Sequence, residues 1–467
     1  MSSVIETIAD WSRASHCFSD LARRRASHAI ADTVGCMAAG TDDFSTTAVR
    51  SAFAASVGAA GASSVVGGGK APAAIAALVN ATAAHALDYD DNFRPAITHA
   101  SAVLVPALLA VARARDADGR TLVDAYLVGL EAQAVIGRGV NPSHYTLGWH
   151  STSTVGAIGT AAGVAWLAGL DADGIGRAMS VAASMASGTK GQFGTPAKPL
   201  HAGLAARNAV EATQLAAAGM TGRLDILECP QGFLELFGGR DAKGWAGLQL
   251  AAPHVIEADG LMPKRHPCCG STHNTVDAIL DLRAEHGFAA DDVAAVESRV
   301  GIANARNLAY PEPENEMQAR FSMQYCVALA LLKDRLTLAD FTPEAVARDE
   351  VRRLLPITTM TSHSRDDELK ESGRLAHQVT VRLRDGRILR AARKEAKGSM
   401  ADPFDDEDRR AKFFDCCRGL DEAALTSLYD RLQSLDEASN LGFLGLVFAS
   451  PPQAATLAMA RQGLVSA

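Results

Sequence analysis

The chain has 467 residues, with 45 Lys+Arg against 53 Asp+Glu for a net charge of -8, and is 48% hydrophobic, 21% charged and 5% aromatic. This balance excludes a mainly disordered or fibrous protein and allows about two or three domains, with cores large enough to need no disulfide or metal staple. The acidic charge and the scarcity of aromatics argue against a nucleic-acid partner bound through phosphate neutralisation or base stacking.

The opening segment MSSVIETIADWSRAS carries early acids and no apolar run, so no secretory signal is expected. From Ala26 to about Ala251 the chain is Ala-rich, and apolar residues at 3–4 spacing predict helices over 25–39, 71–87, 102–115, 122–136, 154–167 and 199–218. Gly40, Gly137, Gly169 and Gly219 follow several of them closely. Residues 151–170 hold no charge. Their Ser/Thr-rich start and Gly/Ala-rich remainder give little transfer energy, so a buried core helix is expected and no membrane contact. The Gly67-Gly68-Gly69-Lys70 run is an ordinary loop: Ser64 stands where a phosphate loop needs its first Gly, and Ala71 follows the Lys.

The pattern changes after Pro253. Residues 294–301 alternate around Val296 and Val300, and 377–383 alternate through Val379, Val381 and Leu383. Arg384-Asp385-Gly386-Arg387 then leads into 388–390, a hairpin signature. Helical segments 271–286 and 316–332 lie between these strands, and from Glu407 the chain reads as helical again. The fold class expected is mainly α with an α+β second domain: a large all-helical domain formed by both chain ends (1–262 and 403–467) and a smaller α+β lid domain (263–402). Eight cysteines without CxxC spacing fit a reducing, cytoplasmic setting and no structural metal.

Four polar clusters stand out. The first runs His85-Ala-Leu-Asp88-Tyr89-Asp90-Asp91-Asn92 into Thr98-His99-Ala-Ser101. The three acids in four residues could bind a metal, act as acid/base or solvate a helix end. His85 and Asp88 are three apart and would share a helix face, Asp88 and His99 are candidate acid/base partners, and the plainer alternative for Asp90 and Asp91 is loop solvation. The second, His144-Tyr145 to Trp149-His150-Ser-Thr152, places two His and a Tyr before the uncharged helix, where the dipole favours a neutral His150. The plainer alternative is Thr152 as cap and His150 as a satisfied core residue. In the third, Lys198-Pro199-Leu-His201, Pro199 suits a first helical position. Lys198 at the positive end of that helix is then a candidate α-proton base or carboxylate anchor. The fourth is Lys264-Arg265-His266-Pro267-Cys268-Cys269-Gly270-Ser271-Thr272-His273, where a helix start with free N–H groups and two cations would form a carboxylate-binding lip. Metal binding by Cys268, Cys269 and His273 lacks a companion motif.

In this order the clusters resemble the MmgE/PrpD family, which includes 2-methylcitrate dehydratase, cis-aconitate decarboxylase and iminodisuccinate epimerase. The match runs through HALDYDD, THAS, GWHST, KPLHAGLAARN, KRHPCCGSTH and ENEMQARFSMQY. The resemblance implies a helical domain from both chain ends, an α+β lid, a homodimer, and a cofactor-free site in the interdomain cleft. It places the family's active-site aspartate on Asp88, its histidines on His99 and His150, its lysine on Lys198, the lid lysine on Lys264 and a lid tyrosine on Tyr325. Asn92 stands where dehydratase and decarboxylase carry Thr, THAS replaces HPS, and a lid His of the decarboxylase falls on Cys269. These departures point away from cis-aconitate decarboxylation.

The family's chemistries are variations on stabilising a carbanion or enolate beside a carboxylate. The expected activity is therefore epimerisation of an iminodisuccinate-type polycarboxylate, with Lys198 and Tyr145 or His99 as bases on opposite faces. Asn92, Lys264, Arg265, Cys269, Ser271, His273 and Tyr325 would line the substrate. A 2-methylcitrate-type hydro-lyase is the alternative; a metal hydrolase on His85, Asp88 and Asp91, or a non-catalytic scaffold, are more remote.

Overall fold

The computed structural model describes residues 2–14, 18–58, 61–248, 250–370 and 375–449; Cys17 and the end of the expected C-terminal helical region, 450–467, lie outside the described residues. Two apolar cores organise the chain. One draws on residues from Val4 to Ile256 and again from Phe413 to Val447, so distant parts of the sequence share it. The other is built from residues between Cys268 and Leu383. The chain is mainly helical, with one small mixed sheet.

The long helices of the first core are Asp20–Ala39, Ala73–Ala86, Ala100–Ala112, Gly119–Val140, Ser151–Leu167, Ala172–Ser184 and Ala197–Ala217. Ala172–Ser184 is not among the helices expected from the sequence, because Gly174 and Gly176 dilute its period; Asp171 starts it by accepting from the Gly174 N–H at 2.8 Å. Small residues set the packing distance. A Cβ on Gly159 would lie 2.6 Å from the Gln133 backbone nitrogen, and one on Gly203 2.6 Å from the Leu78 carbonyl oxygen. Any side chain there would force these helix pairs apart.

The uncharged helix Ser151–Leu167 sits inside this bundle, with its hydroxyls satisfied by neighbours: Thr154 Oγ1 lies 2.7 Å from His144 Nε2, and Thr160 Oγ1 accepts from Gln133 Nε2 at 3.3 Å. Among the described residues no helix is long and apolar enough to cross a membrane.

The Gly67–Gly69 run ends the five-residue loop 65–69 that joins β1 (Ser63–Ser64) to its antiparallel partner β2 (Lys70–Ala71), with all three glycines at positive φ. Its carbonyls face a cation rather than its amides an anion: Arg50 Nη2 donates to the Gly67 carbonyl at 3.0 Å.

In the second core, β3 (Val293–Val300), β4 (Thr358–Ser362), β5 (His377–Leu383) and β6 (Ile388–Arg393) form a sheet in the order β4-β3-β5-β6. β4 runs parallel to β3 and the other pairs are antiparallel. His377, Val379, Val381 and Leu383 are buried on one face, as the alternation requires. Helix Gly270–His286 is tied to the sheet by Asn274 Nδ2, which donates to the Arg393 carbonyl at 3.2 Å. The single helix expected over 316–332 is two, Glu316–Ala319 and Met323–Leu332, because the Ser322 hydroxyl accepts from the Tyr325 N–H at 3.1 Å and starts a new turn.

Candidate active site

A cavity of about 350 Å³ lies where the acid loop after Ala73–Ala86 meets the starts of three helices, Ser151–Leu167, Ala197–Ala217 and Gly270–His286. Asp88, Asn92, His99, Tyr145, His150, Lys198, Cys269 and Ser271 all contribute to its wall, joining residues from all four sequence clusters.

The helix ends at Ala86, so His85 and Asp88 do not share a helical face as expected; Asp88 takes a left-handed conformation with φ 51°. That turn is one that Asp adopts more readily than most residues with a Cβ, and here it aims a buried carboxylate at two lysines. Lys198 Nζ donates to Asp88 Oδ1 at 2.5 Å and Lys264 Nζ at 2.9 Å, while Lys264 also donates to the Asp88 carbonyl at 2.9 Å. Burial alone would raise the Asp88 carboxyl, but Lys198 and Lys264 overcome it and hold the group well below the usual carboxylate range. Asp88 Oδ2 has no hydrogen-bond partner among the described residues. Burial opposes the charge on Lys264, yet Asp88 and Asp90 more than offset it and its pKa is raised.

Asp90 and Asp91 are not solvated loop residues: both are buried. His85 Nδ1 lies 2.7 Å from Asp90 Oδ2, and His99 Nδ1 2.8 Å from the Asp91 carbonyl oxygen. The Asp91 carboxylate accepts from Ser101 Oγ, which in turn lies 2.7 Å from Tyr126 OH. Burial pushes the Asp91 carboxyl up to about 7. His99 and His150 are held well below the ordinary imidazole range, chiefly by burial, with nearby cationic and imidazole groups adding to the effect. His150 occupies the N-cap position of the uncharged helix with Nδ1 3.1 Å from His201 Nδ1. Thr152 is not the cap; its hydroxyl accepts from the His99 N–H at 3.0 Å and locks the two histidine-bearing segments together.

Helix Ala197–Ala217 starts two residues before the expected Pro199, so Lys198 lies inside its first turn. As a donor in the Asp88 ion pair, Lys198 reaches the free-amine role expected of it only if that pair opens. Tyr145 is an unsuitable base: burial pushes its hydroxyl up, and Asn307 Nδ2 donates to it at 3.0 Å. Across the cavity Cys269 is the N-cap of Gly270–His286 without a side-chain cap bond, and Ser271 Oγ accepts from Asn307 Nδ2 at 3.2 Å. Asn92 Nδ2 is buried without a partner among the described residues, close to Gly270.

Four expected substrate-lining residues lie elsewhere. Arg265 turns to Asp277, its Nη1 3.2 Å from Oδ1, and so forms no carboxylate-binding lip. His273 faces the second core and donates from Nε2 to the Cys268 carbonyl at 3.2 Å. Tyr325 is buried against Phe341, its hydroxyl donating to the Asp340 carbonyl at 2.5 Å. Lys264 is fully buried behind Asp88 instead of on a lip.

Several residues of the site carry no sequence signal of their own. Phe193 and Phe321 form an apolar wall, with ring centroids 5.7 Å apart and Lys198 Nζ 5.4 and 5.1 Å from them. Lys190 stacks on Tyr145 at 3.6 Å, and burial lowers its pKa to about 8. Behind the acid loop, Lys412 Nζ donates to the Tyr89 carbonyl at 2.7 Å and pairs with Asp32 Oδ1 at 2.7 Å.

A cavity with a buried carboxylate held between two ammonium groups, and with imidazole, phenol and amide groups around it, defines an enzyme for small acids. Profiles of the MmgE/PrpD N-terminal domain and the MmgE/PrpD C-terminal domain match residues 6–246 and 266–429, and the chain belongs to this family. It is 28% identical over 398 residues to the cis-aconitate decarboxylase of Homo sapiens, covering 82% of each chain. It is 29% identical to that of Mus musculus over 388 residues, 79% of this chain and 78% of the relative. With the cis-aconitate decarboxylase of Aspergillus terreus (strain NIH 2624 / FGSC A1156) it shares 25% identity over 418 residues, 82% of each.

Proposed function

We propose that the chain is a lyase that decarboxylates a small unsaturated di- or tricarboxylate. One observation carries this reading: the cavity wall presents the Lys198 cation and several donors but only weak bases, and Lys190, the amine lowered to about 8, lies off that wall on the Tyr145 ring. Lys198 and Lys264 are engaged at Asp88, and Tyr145 and Asn92 present donors. The carboxyl of Asp88 and the imidazoles of His99 and His150 are all held in weakly basic states. Dehydration and two-base epimerisation both begin by removing a carbon-bound proton, which needs a base; loss of CO2 does not.

In the proposed reaction, the N-terminus of Gly270–His286 and the Asn92 amide anchor one carboxylate. The departing carboxylate lies against Phe193 and Phe321, where a charge is poorly solvated and neutral CO2 is not. The C–C bond breaks, its electron pair stays on carbon as an allylic or enolate-like anion, and the Lys198 ammonium stabilises that charge. The Tyr145 hydroxyl then protonates the carbon, and solvent reprotonates the phenolate. The names of the curated relatives support decarboxylation. Asn92 and Cys269, which differ from the decarboxylase pattern, lie on the cavity wall and support a different acid from cis-aconitate.

The test is NMR in D2O with a panel of 13C-carboxyl-labelled unsaturated and hydroxylated polycarboxylates. Labelled bicarbonate, with one deuterium in the product, supports the proposal. A new vinyl signal without bicarbonate makes the chain a hydro-lyase. Deuterium entry with decay of optical rotation and neither of those products makes it an epimerase.

A further inference from the structure

His85, His99 and His150 each bring one ring nitrogen to within 4.8 Å of the other two. Their ring centroids are 4.6 Å apart for His85–His99, 5.7 Å for His85–His150 and 6.4 Å for His99–His150. The Nδ1 atom of each ring is already engaged: His85 with the Asp90 carboxylate, His99 with the Asp91 carbonyl, and His150 with His201. A carboxylate and a carbonyl only accept, so His85 and His99 carry their proton on Nδ1 and keep a lone pair on Nε2. The Nε2 atoms of His85 and His150 are buried without a partner among the described residues. Imidazoles oriented through one nitrogen by an outer carboxylate or carbonyl, with the other nitrogen free, are arranged as metal-ligating histidines are.

An overlapping group, His85, Asp88, Asp90 and His99, lies beside this one without including His150, and Asp88 Oδ2 is buried and unpartnered among the described residues. The carboxylates of Asp88 and Asp90 offset the ammonium groups of Lys198 and Lys264, so an entering dication meets no excess of positive charge. Three imidazoles suit a borderline divalent ion such as Zn(II) or Co(II), whereas Mg(II) and Ca(II) prefer oxygen ligands. Zn–N bonds of 2.0–2.1 Å hold tetrahedral nitrogens roughly 3.4 Å apart, so nitrogens within 4.8 Å of one another need to close by at most about 1.4 Å.

We propose that His85, His99 and His150 form a binding site for a borderline divalent transition-metal ion beside the cavity. The site does not depend on the decarboxylase reading.

Co(II) is the probe. The chelator-stripped full chain, titrated with cobalt chloride, is expected to take up one equivalent with the intense visible bands of a four-coordinate ion. His85→Gln and His150→Gln should each weaken that uptake at least tenfold, whereas His144→Gln, a buried histidine outside the cavity, should leave it unchanged. Weak six-coordinate absorption, or full uptake by both cavity variants, would overturn the site. Should those variants fail to fold, X-ray absorption of the unmodified chain loaded with one equivalent of Zn(II) decides. Imidazole scattering from about three ligands near 2.0 Å supports the site, and a shell of sulfur or of oxygen alone overturns it.

Discussion

Lys198 Nζ lies 2.5 Å from Asp88 Oδ1 although 110 residues separate the two, and Lys264 shares the same oxygen at 2.9 Å. One carboxylate thus holds together the acid loop, the start of helix Ala197–Ala217 and the segment entering the second core. Replacing Asp88 by Asn leaves two buried ammonium groups against a neutral amide, and removing one member of a buried ion pair costs about 3–5 kcal/mol. Asp88→Asn is expected to lower stability by that amount at pH 7. The folded Asp88 carboxyl is depressed, so its contribution is complete above its unfolded pKa near 3.9 and declines as pH falls towards the folded value. Urea unfolding at pH 7, 5 and 3.5 should show the gap between the two proteins unchanged from 7 to 5 and narrower at 3.5. A gap independent of pH to the acid limit would remove Asp88 ionisation from the account.

His144 makes the opposite use of a buried histidine. Burial lowers its pKa to about 4, and both ring nitrogens are bonded, Nδ1 to the Phe237 carbonyl and Nε2 to Thr154. The unfolded imidazole titrates near 6.5, so between pH 6.5 and 4 the unfolded chain gains a proton that the native one refuses. Stability present above pH 6.5 is lost as pH falls, by about 3 kcal/mol for a shift of this size. His144→Gln should lack that component, so the difference in unfolding free energy between wild type and variant shifts by about 3 kcal/mol between pH 7 and 4. A difference that stays constant over that window would mean the native imidazole takes up its proton freely.

These two residues also show what the sequence discloses. Asp88 and Lys198 stand out because charged residues interrupt long Ala-rich helical stretches, and the apolar spacing places both at helix ends. The alternation of Val379, Val381 and Leu383 likewise leads directly to β5 and its hairpin. Other features depend on which way a side chain turns, and spacing does not report that. His273 and Arg265 sit beside Cys269 and Ser271 in sequence, yet they are drawn away by the Cys268 carbonyl and Asp277. Thr358–Ser362 pairs at the sheet edge as a mostly polar TTMTS run with one buried residue, so no apolar alternation marks it. Lys412 reaches the acid loop from 323 residues further along the chain than Tyr89, a contact that only the folded core produces.

Lys412 yields a prediction of its own. Its ammonium joins Asp32 to the Tyr89 carbonyl and lies 4.5 Å from the Tyr89 ring, immediately beside the left-handed Asp88. Lys412→Met strands Asp32 as a partly buried unpaired carboxylate, at a cost below the roughly 3–5 kcal/mol of a fully buried pair. Adding Asp32→Asn should recover most of that loss. The double variant should nevertheless keep a reduced kcat with KM little changed, because the loop that aims Asp88 has lost its rear support. Chemical denaturation and steady-state kinetics on the two single variants and the double complete the cycle; full recovery of kcat in the double would reduce Lys412 to a purely structural role.

Tyr145 separates the roles of acid and base. As a proton donor whose hydroxyl is raised by burial, it is replaceable in part by water, so Tyr145→Phe should lower kcat by about 10²–10⁴-fold, the span of general-acid catalysis. CO2 release should then exceed stereospecific deuterium incorporation, since the carbon anion is quenched from either face. Asn307→Ala removes the amide that donates to the Tyr145 oxygen at 3.0 Å, and leaves the hydroxyl in place. Its expected loss is smaller, about tenfold, the equivalent of one hydrogen bond of about 1.4 kcal/mol. Product isotopic composition by mass spectrometry checks both variants. Complete inactivity of Tyr145→Phe in CO2 release as well as in protonation would mean that Tyr145 acts before the C–C bond breaks, and the order of steps proposed for the cavity would have to be reversed.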